Sequence, residues 1–249
     1  MSYDGLLAET ISIHGHGGDL FPAYLARPLR TEAVPGVVVV HHNPGYDLET
    51  KEITRTLAVH GYTALCPNLH HRDAPGAEPD DASAAMKAAG GVPDDRALGD
   101  IAGALEHLRN LPTGNGRVGV IGYCSGGRHA YLAACTMRFD AAVDCYGGRV
   151  AVPADQLSER QPMSAVDLTP SLSCPLLGLF GVEDKNPDPA QVGRIEAALR
   201  EHGKRFDFHS YEGAGHAFFS VDRPNYRPEA AMDGWRRILE FFGHHLKEA

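Results

Sequence analysis

One six-residue stretch constrains this chain more than any other: Gly122-Tyr123-Cys124-Ser125-Gly126-Gly127. The apolar run Val118-Gly119-Val120-Ile121 leads into it, and Arg128-His129-Ala130-Tyr131-Leu132-Ala133-Ala134, a helical pattern, leads out. A buried strand that turns through glycines directly into a helix forces its central side chain onto a tight, strained turn, the nucleophile elbow. Glycines flank that side chain because a Cβ there would collide with the neighbouring strand or helix. The tip residue is a thiol, Cys124, where most enzymes of this architecture carry serine. The same turn leaves the Ser125 N–H at a helix N-terminus, where it can stabilise a developing oxyanion.

The rest of the chain alternates strand-like and helix-like segments. Ile11–His14 and Phe21–Ala26 read as an opening pair of strands, and Gly36–His41 as a strand with both faces covered. Thr50–His60 is expected to be a helix, then Tyr62–Pro67 a strand. Leu98, Ile101, Leu105 and Leu108 share one face of a helix over Asp94–Leu111. Ala141–Tyr146, Leu176–Phe180 and Phe206–Tyr211 are further strands, with helices at Pro189–His202 and Pro228–Leu246. Strands alternating with helices imply one mainly parallel sheet covered on both sides, an α/β architecture. No repeat or linker divides the chain, so a single domain over residues 1–249 is expected. The stretch 70–93, rich in Asp, Ala, Gly and Pro, is the candidate for a lid-like loop.

A chain of 249 residues can bury about three-quarters of its extended surface, so it needs no disulfide staples. Its formal charge of −9 argues against nucleic acid or an anionic membrane as partner. Met1–Leu20 holds acids and histidines rather than a basic stretch followed by an apolar one. The five cysteines, Cys66, Cys124, Cys135, Cys145 and Cys174, are odd in number, and no C-x-x-C pairs them. That pattern fits a reducing cytoplasm rather than a secreted disulfide framework. A monomer or a homodimer is expected.

A thiol at an elbow needs a base, and the base needs an orienting acid. In this architecture they follow the nucleophile in the order acid, histidine, each at the C-terminal end of a strand. Asp184 and His216, 60 and 92 residues after Cys124, occupy those places. Glu183, Asp188 and Asp144 are rival acids. The second oxyanion donor should come from the loop His41-His42-Asn43-Pro44-Gly45. Asn43 is the candidate, because Pro44 has no N–H and Gly45 permits the turn. His41-His42 and His70-His71 raise a metal reading, but adjacent residues on a strand point to opposite faces. A site without metal or cofactor is expected.

With Cys124 in its elbow, Asp184, and His216 in Gly215-His216-Ala217-Phe218, the chain resembles the dienelactone hydrolase family of α/β-hydrolases. The segment Pro67-Asn68-Leu69-His70-His71-Arg72-Asp73-Ala74-Pro75-Gly76 is similar to the family's segment carrying a substrate-binding arginine. The resemblance runs over roughly residues 10–245. It implies an α/β-hydrolase fold and hydrolysis of a lactone or small activated ester through an acyl-thioester on Cys124. His216 would be the base, Asp184 its orienting acid, and Arg72 the partner of a substrate carboxylate. Tyr123 and His42, beside the thiol and the oxyanion loop, are further candidate substrate contacts. Two departures stand out. His42 occupies the place of the family's cysteine-activating glutamate, and Ser220 that of a second carboxylate-binding arginine, for which Arg149 and Arg223 are possible substitutes. The competing readings are a general carboxylesterase and a non-hydrolytic thiol or binding protein on the same fold. A thiolate is also a good leaving group, which suits activated acyl substrates better than amides.

Overall fold

A computed structural model describes residues 5–247. Eight strands form one sheet: β1 (Leu6–His14), β2 (Leu20–Pro28), β3 (Val34–Val40), β4 (Thr63–Pro67), β5 (Gly114–Tyr123), β6 (Ala141–Cys145), β7 (Leu176–Gly181) and β8 (Phe206–Tyr211). Their spatial order is β1-β2-β4-β3-β5-β6-β7-β8. The opening hairpin and the β2–β4 contact are antiparallel, and every pairing from β4 through β8 is parallel.

Alternation along the central strands sorts the core into two layers. Val38, Val40, Val118, Val120 and Ala142 face α3 (Asp94–Arg109), α4 (Ser125–Thr136) and α5 (Pro189–Glu201). Val37, Val39, Ile121, Val143 and Leu179 face α1 (Leu48–Val59) and α6 (Pro228–Phe242). All seven residues of β3 are buried, which is why it reads as an unbroken apolar run. Phe242 at the end of α6 is fully buried, a contribution of roughly 1.5–3 kcal/mol for a side chain of that kind. Helix starts follow local chemistry: Asp47 accepts from the Thr50 N–H to cap α1, and Asp188 forms a capping box with Gln191 on α5.

Two expectations change. The stretch 70–93 is not one loop, because it contains α2 (Pro79–Ala88), with Ala82, Ser83 and Met86 buried. Pro79 at the first helical turn and Asp80 and Asp81 behind it are start signals for a helix rather than breakers. The terminal helix ends at Phe242, and Gly243–Lys247 continues as a wider π-type turn that still buries Leu246.

Candidate active site

The elbow forms where β5 ends and α4 begins. Cys124 adopts φ 55° and ψ −120°, a conformation a non-glycine residue holds only when its surroundings enforce it. A Cβ on Gly122 would strike the Gly126 carbonyl, and one on Gly126 would strike the Val40 carbonyl of β3. The turn therefore closes only with glycine at both places. The Cys124 N–H donates to the Cys145 carbonyl at 3.0 Å, and the Gly127 N–H to the Cys124 carbonyl at 3.0 Å.

Around the sulfur the sequence-predicted groups converge. His216 and the backbone N–H groups of Ser125 and Asn43 lie close enough to the sulfur to act on its charge. Burial raises the Cys124 pKa and is the largest single influence, but His216 and those two N–H donors together hold it below its ordinary value. The Nδ1 of His216 lies 2.8 Å from the Asp184 carboxylate, whose side chain is 1% exposed. Burial opposes the imidazolium, yet Asp184 and Cys124 raise His216 to about 10. Both shifts favour the thiolate–imidazolium form of the pair. Asp184 is itself fixed, accepting from the Asn186 N–H at 2.8 Å.

The rival acids are occupied elsewhere. Asp188 caps α5 and Glu183 is exposed. Asp144 is fully buried and accepts from the Gly147 N–H at 2.7 Å, and burial pushes it up to about 7.

A pocket of about 470 Å³ opens over the sulfur, with Asn43, Lys87, Cys124, Ser125, Arg149 and Asn186 in its wall. A second concavity of about 440 Å³ lies on the outer side of Asp184 and His216, beside Asn225 and Arg227. Sequence reasoning missed Ser83, whose hydroxyl donates to the Asn43 carbonyl at 2.8 Å and ties the oxyanion loop to α2. No local signal announces it, because the contact spans 40 residues.

Three expected substrate contacts are placed differently. Arg72 is not in the pocket wall: its guanidinium donates to buried Asp100 at 2.7 and 3.0 Å, to Asp19 at 2.9 Å and to the His16 carbonyl at 3.1 Å. Tyr123 is 2% exposed and packs on Tyr146 and Phe219, since alternation along β5 turns it into the core. His42 is buried and its Nε2 lies 2.7 Å from the Asp47 carboxylate. Burial raises Asp47, but His42 and the Thr50 N–H hold it down at about 2.

His42, Asp47 and Glu49 bring one ligand atom each within 4.8 Å of one another, a set that could hold a cation. In this structure their bonds are internal: Asp47 binds His42 and caps α1, while Glu49 accepts from the Ser220 hydroxyl at 2.6 Å. Arg223 lies 3.9 Å from Glu49 rather than in the pocket.

Comparison with known proteins sets this geometry in context. A Salmonella typhimurium protein provisionally named carboxymethylenebutenolidase is 34% identical over 97% of this chain and 89% of its own length. A Bradyrhizobium protein provisionally named 2-oxo-3-(5-oxofuran-2-ylidene)propanoate lactonase is 31% identical over 97% and 98%. A Klebsiella pneumoniae crystal structure, provisionally named a dienelactone hydrolase, superimposes with a TM-score of 0.87 at 30% identity, covering 96% and 99%. The Dienelactone hydrolase family profile matches residues 21–246. The elbow, the sheet order and this match over nearly the whole length agree, and the chain belongs to the dienelactone hydrolase family of α/β-hydrolases.

Proposed function

We propose that this protein hydrolyses lactones or small activated esters by a Cys124–His216–Asp184 triad through an acyl-thioester. The observation that carries the reading is the convergence of the His216 imidazole and the Ser125 and Asn43 N–H groups on one sulfur in a pocket wall. The thiolate attacks the acyl carbon, and the carbonyl electrons move to an oxygen that those two N–H groups can hold. The carbon–oxygen bond to the leaving group then breaks, and His216 gives its proton to the departing oxygen. In the second half His216 takes a proton from water. The resulting hydroxide attacks the thioester, the carbon–sulfur bond breaks, and the thiolate returns as the acid leaves.

A thiolate costs little to expel, so the tetrahedral adduct collapses productively only when the oxygen leaving group is good. Enol lactones and aryl esters meet that condition, and amides do not. Names of the Salmonella and Bradyrhizobium relatives, a butenolidase and a lactonase, point to the same class. Five unpaired cysteines suit a reducing cytoplasm, and no helix among the described residues is long and apolar enough to cross a membrane.

The test is turnover of an aryl ester by Cys124→Ala and His216→Ala. Each is expected to lose at least about 10³-fold in kcat, the scale seen when a triad member is removed. Rates like those of the wild type in either variant would sink the reading.

A further inference from the structure

At the end of the sheet away from Cys124, the connections into neighbouring strands enclose a concavity of about 540 Å³. Asp140 just before β6, Cys174 before β7 and Arg205 before β8 line it, together with Arg109 at the end of α3 and Arg138 just after α4. The ten residues of β5 run from this end to the elbow, so the concavity lies roughly 30 Å from the catalytic sulfur.

Its charge is opposite to that of the protein. Three guanidiniums face one carboxylate, an excess of two positive charges in a chain whose formal charge is −9. Arg55, Arg72, Arg96, Arg128, Arg200 and Arg236 each pair with a carboxylate. The exposed side chains of Arg138 and Arg205 have neither an ion pair nor a hydrogen bond among the described residues. Asp140 is engaged elsewhere, because one of its oxygens accepts from the Val118 N–H at 2.8 Å.

Cations at this end of the sheet have an ordinary structural use, which is to serve the carbonyls at helix C-termini. Arg109 does so, donating to the Arg138 carbonyl. The neighbouring carbonyls are served by other groups. The Ser173 hydroxyl donates to the carbonyls of Ala134 and Met137 at 3.0 and 2.9 Å, and the Thr136 hydroxyl to that of Leu132 at 3.0 Å. Lys204 takes those of Pro170 and Leu172 at 2.7 and 3.0 Å. Arg138 and Arg205 therefore serve no carbonyl and no carboxylate, yet they bring two like charges to one concavity. Such an arrangement is relieved only by an anion from outside the chain.

The shape of the cationic groups narrows that anion. A guanidinium is a planar fork that meets two oxygens of a phosphate or carboxylate at once. Forks from three separate connections around one space suit a tetrahedral group, whose oxygens point in several directions, better than a planar carboxylate. An excess of two positive charges matches a phosphate monoester, which is close to dianionic at pH 7. The volume leaves room beyond the phosphate for a small organic portion.

We infer that this concavity is a binding site for a soluble phosphate monoester, held by Arg138 and Arg205 with Arg109 beside them. The site is remote from Cys124 and does not depend on what Cys124 hydrolyses.

Isothermal titration calorimetry at fixed ionic strength tests it, with glycerol 3-phosphate as the probe and glycerol and citrate as controls. Wild type should bind one glycerol 3-phosphate per chain with a millimolar or tighter Kd, bind citrate more weakly, and give no heat with glycerol. Arg138→Gln and Arg205→Gln should each weaken binding by about 10-fold, the scale of a lost charge-assisted hydrogen bond. The double variant should show no saturable binding, and Arg138→Lys, which keeps the charge without the fork, should weaken it less than Arg138→Gln. Both side chains are exposed and unpartnered, so the urea midpoints of these variants should stay at the wild-type value. Arg149→Gln, in the Cys124 pocket, should leave the Kd unchanged. No saturation at millimolar concentrations, citrate bound as tightly as glycerol 3-phosphate, or wild-type affinity in the double variant would each overturn the proposal. So would binding lost in Arg149→Gln, which would place the anion at the Cys124 pocket instead.

Discussion

At the elbow, a thiol and an imidazole charge each other. Under the connections that follow β3 and β4, three imidazoles do the opposite. His216 has Asp184 on one nitrogen and the Cys124 sulfur on the other side, and burial is outweighed. His41, His70 and His129 are all at least 97% buried; the charged groups acting on them are mostly other imidazoles and the cations Arg96 and Arg128, and only His41 feels a carboxylate, that of Asp47. Burial is the leading influence on each, and it drives His41 down to about 4, His129 to about 3 and His70 to about 2. The four other cysteines show the same contrast with Cys124. Each is buried, and burial outweighs the pull of Lys204 and Arg205 to push Cys135 and Cys174 up to about 12. Residue type therefore says little about reactivity here; the partner of opposite charge decides it.

The largest expected effect comes from moving His216 across that divide. Asp184→Asn removes the charge that raises His216 while leaving a polar group of the same size. Turnover of an aryl ester should fall by about 10³–10⁴-fold, as expected when the orienting acid of a triad is neutralised. Cys124 should also need a higher pH for half-maximal alkylation by iodoacetamide, because a neutral imidazole no longer stabilises the thiolate. Unchanged turnover together with an unchanged alkylation profile would show that Asp184 does not charge the pair.

How much of this was legible in the sequence depends on whether the physics was local. The elbow was, because a strand, three glycines and a helix must lie next to one another in the chain, and Gly122 and Gly126 are needed for direct steric reasons. Asp184 and His216 were legible because chain order and strand ends are topological properties that spacing preserves. The ion pairs of Arg72 were hidden for the converse reason. Nothing near it in sequence shows that Asp100, 28 residues on, and Asp19, 53 residues back, would take its guanidinium. Helix α2 was hidden by reading Pro79 and its acids as loop residues when they are the start of a helix. Ser83 and the brace of Arg149 by Arg128, Gln156 and Gln161 exist only once separate connections meet at one edge of the sheet.

The comparison is sharpened next by making an orphan on purpose. The Arg72 side chain is 17% exposed and the Asp100 side chain 0%, so Arg72→Leu leaves a buried carboxylate without its cation. The expected loss is about 3 kcal/mol of unfolding free energy, the lower end for breaking a buried ion pair because Arg72 is partly solvated. The double variant Arg72→Leu/Asp100→Leu should recover much of it. Chemical denaturation of the three proteins checks this, while the ratio of kcat/KM for acidic over neutral esters should stay as in wild type. A stable Arg72→Leu protein that has lost that ratio would return Arg72 to substrate recognition.

The smallest effect distinguishes the two groups of histidines by sign. For His41, His70 and His129 the folded pKa lies below the ordinary 6.5, so the unfolded chain takes up protons first as pH falls. Stability from these groups is present above pH 6.5 and is lost on the way down towards about 4 for His41, 3 for His129 and 2 for His70, each steepening the fall by up to about 1.4 kcal/mol per pH unit. His216 works in the opposite direction, since its folded pKa of about 10 makes its contribution full below 6.5 and lost as pH rises towards 10. His129 separates the cases cleanly, because neither of its ring nitrogens has a hydrogen-bond partner among the described residues. Replacing it by leucine thus removes a proton site without breaking a bond. Urea midpoints of His129→Leu should match or exceed wild type at pH 7 and fall less steeply between pH 6.5 and 4.5, by about one-third of the slope contributed by the trio. An identical slope in the two proteins would mean that His129 takes up its proton as readily in the folded protein as in the unfolded chain. Burial would then no longer explain why three imidazoles sit neutral while His216 is raised to about 10.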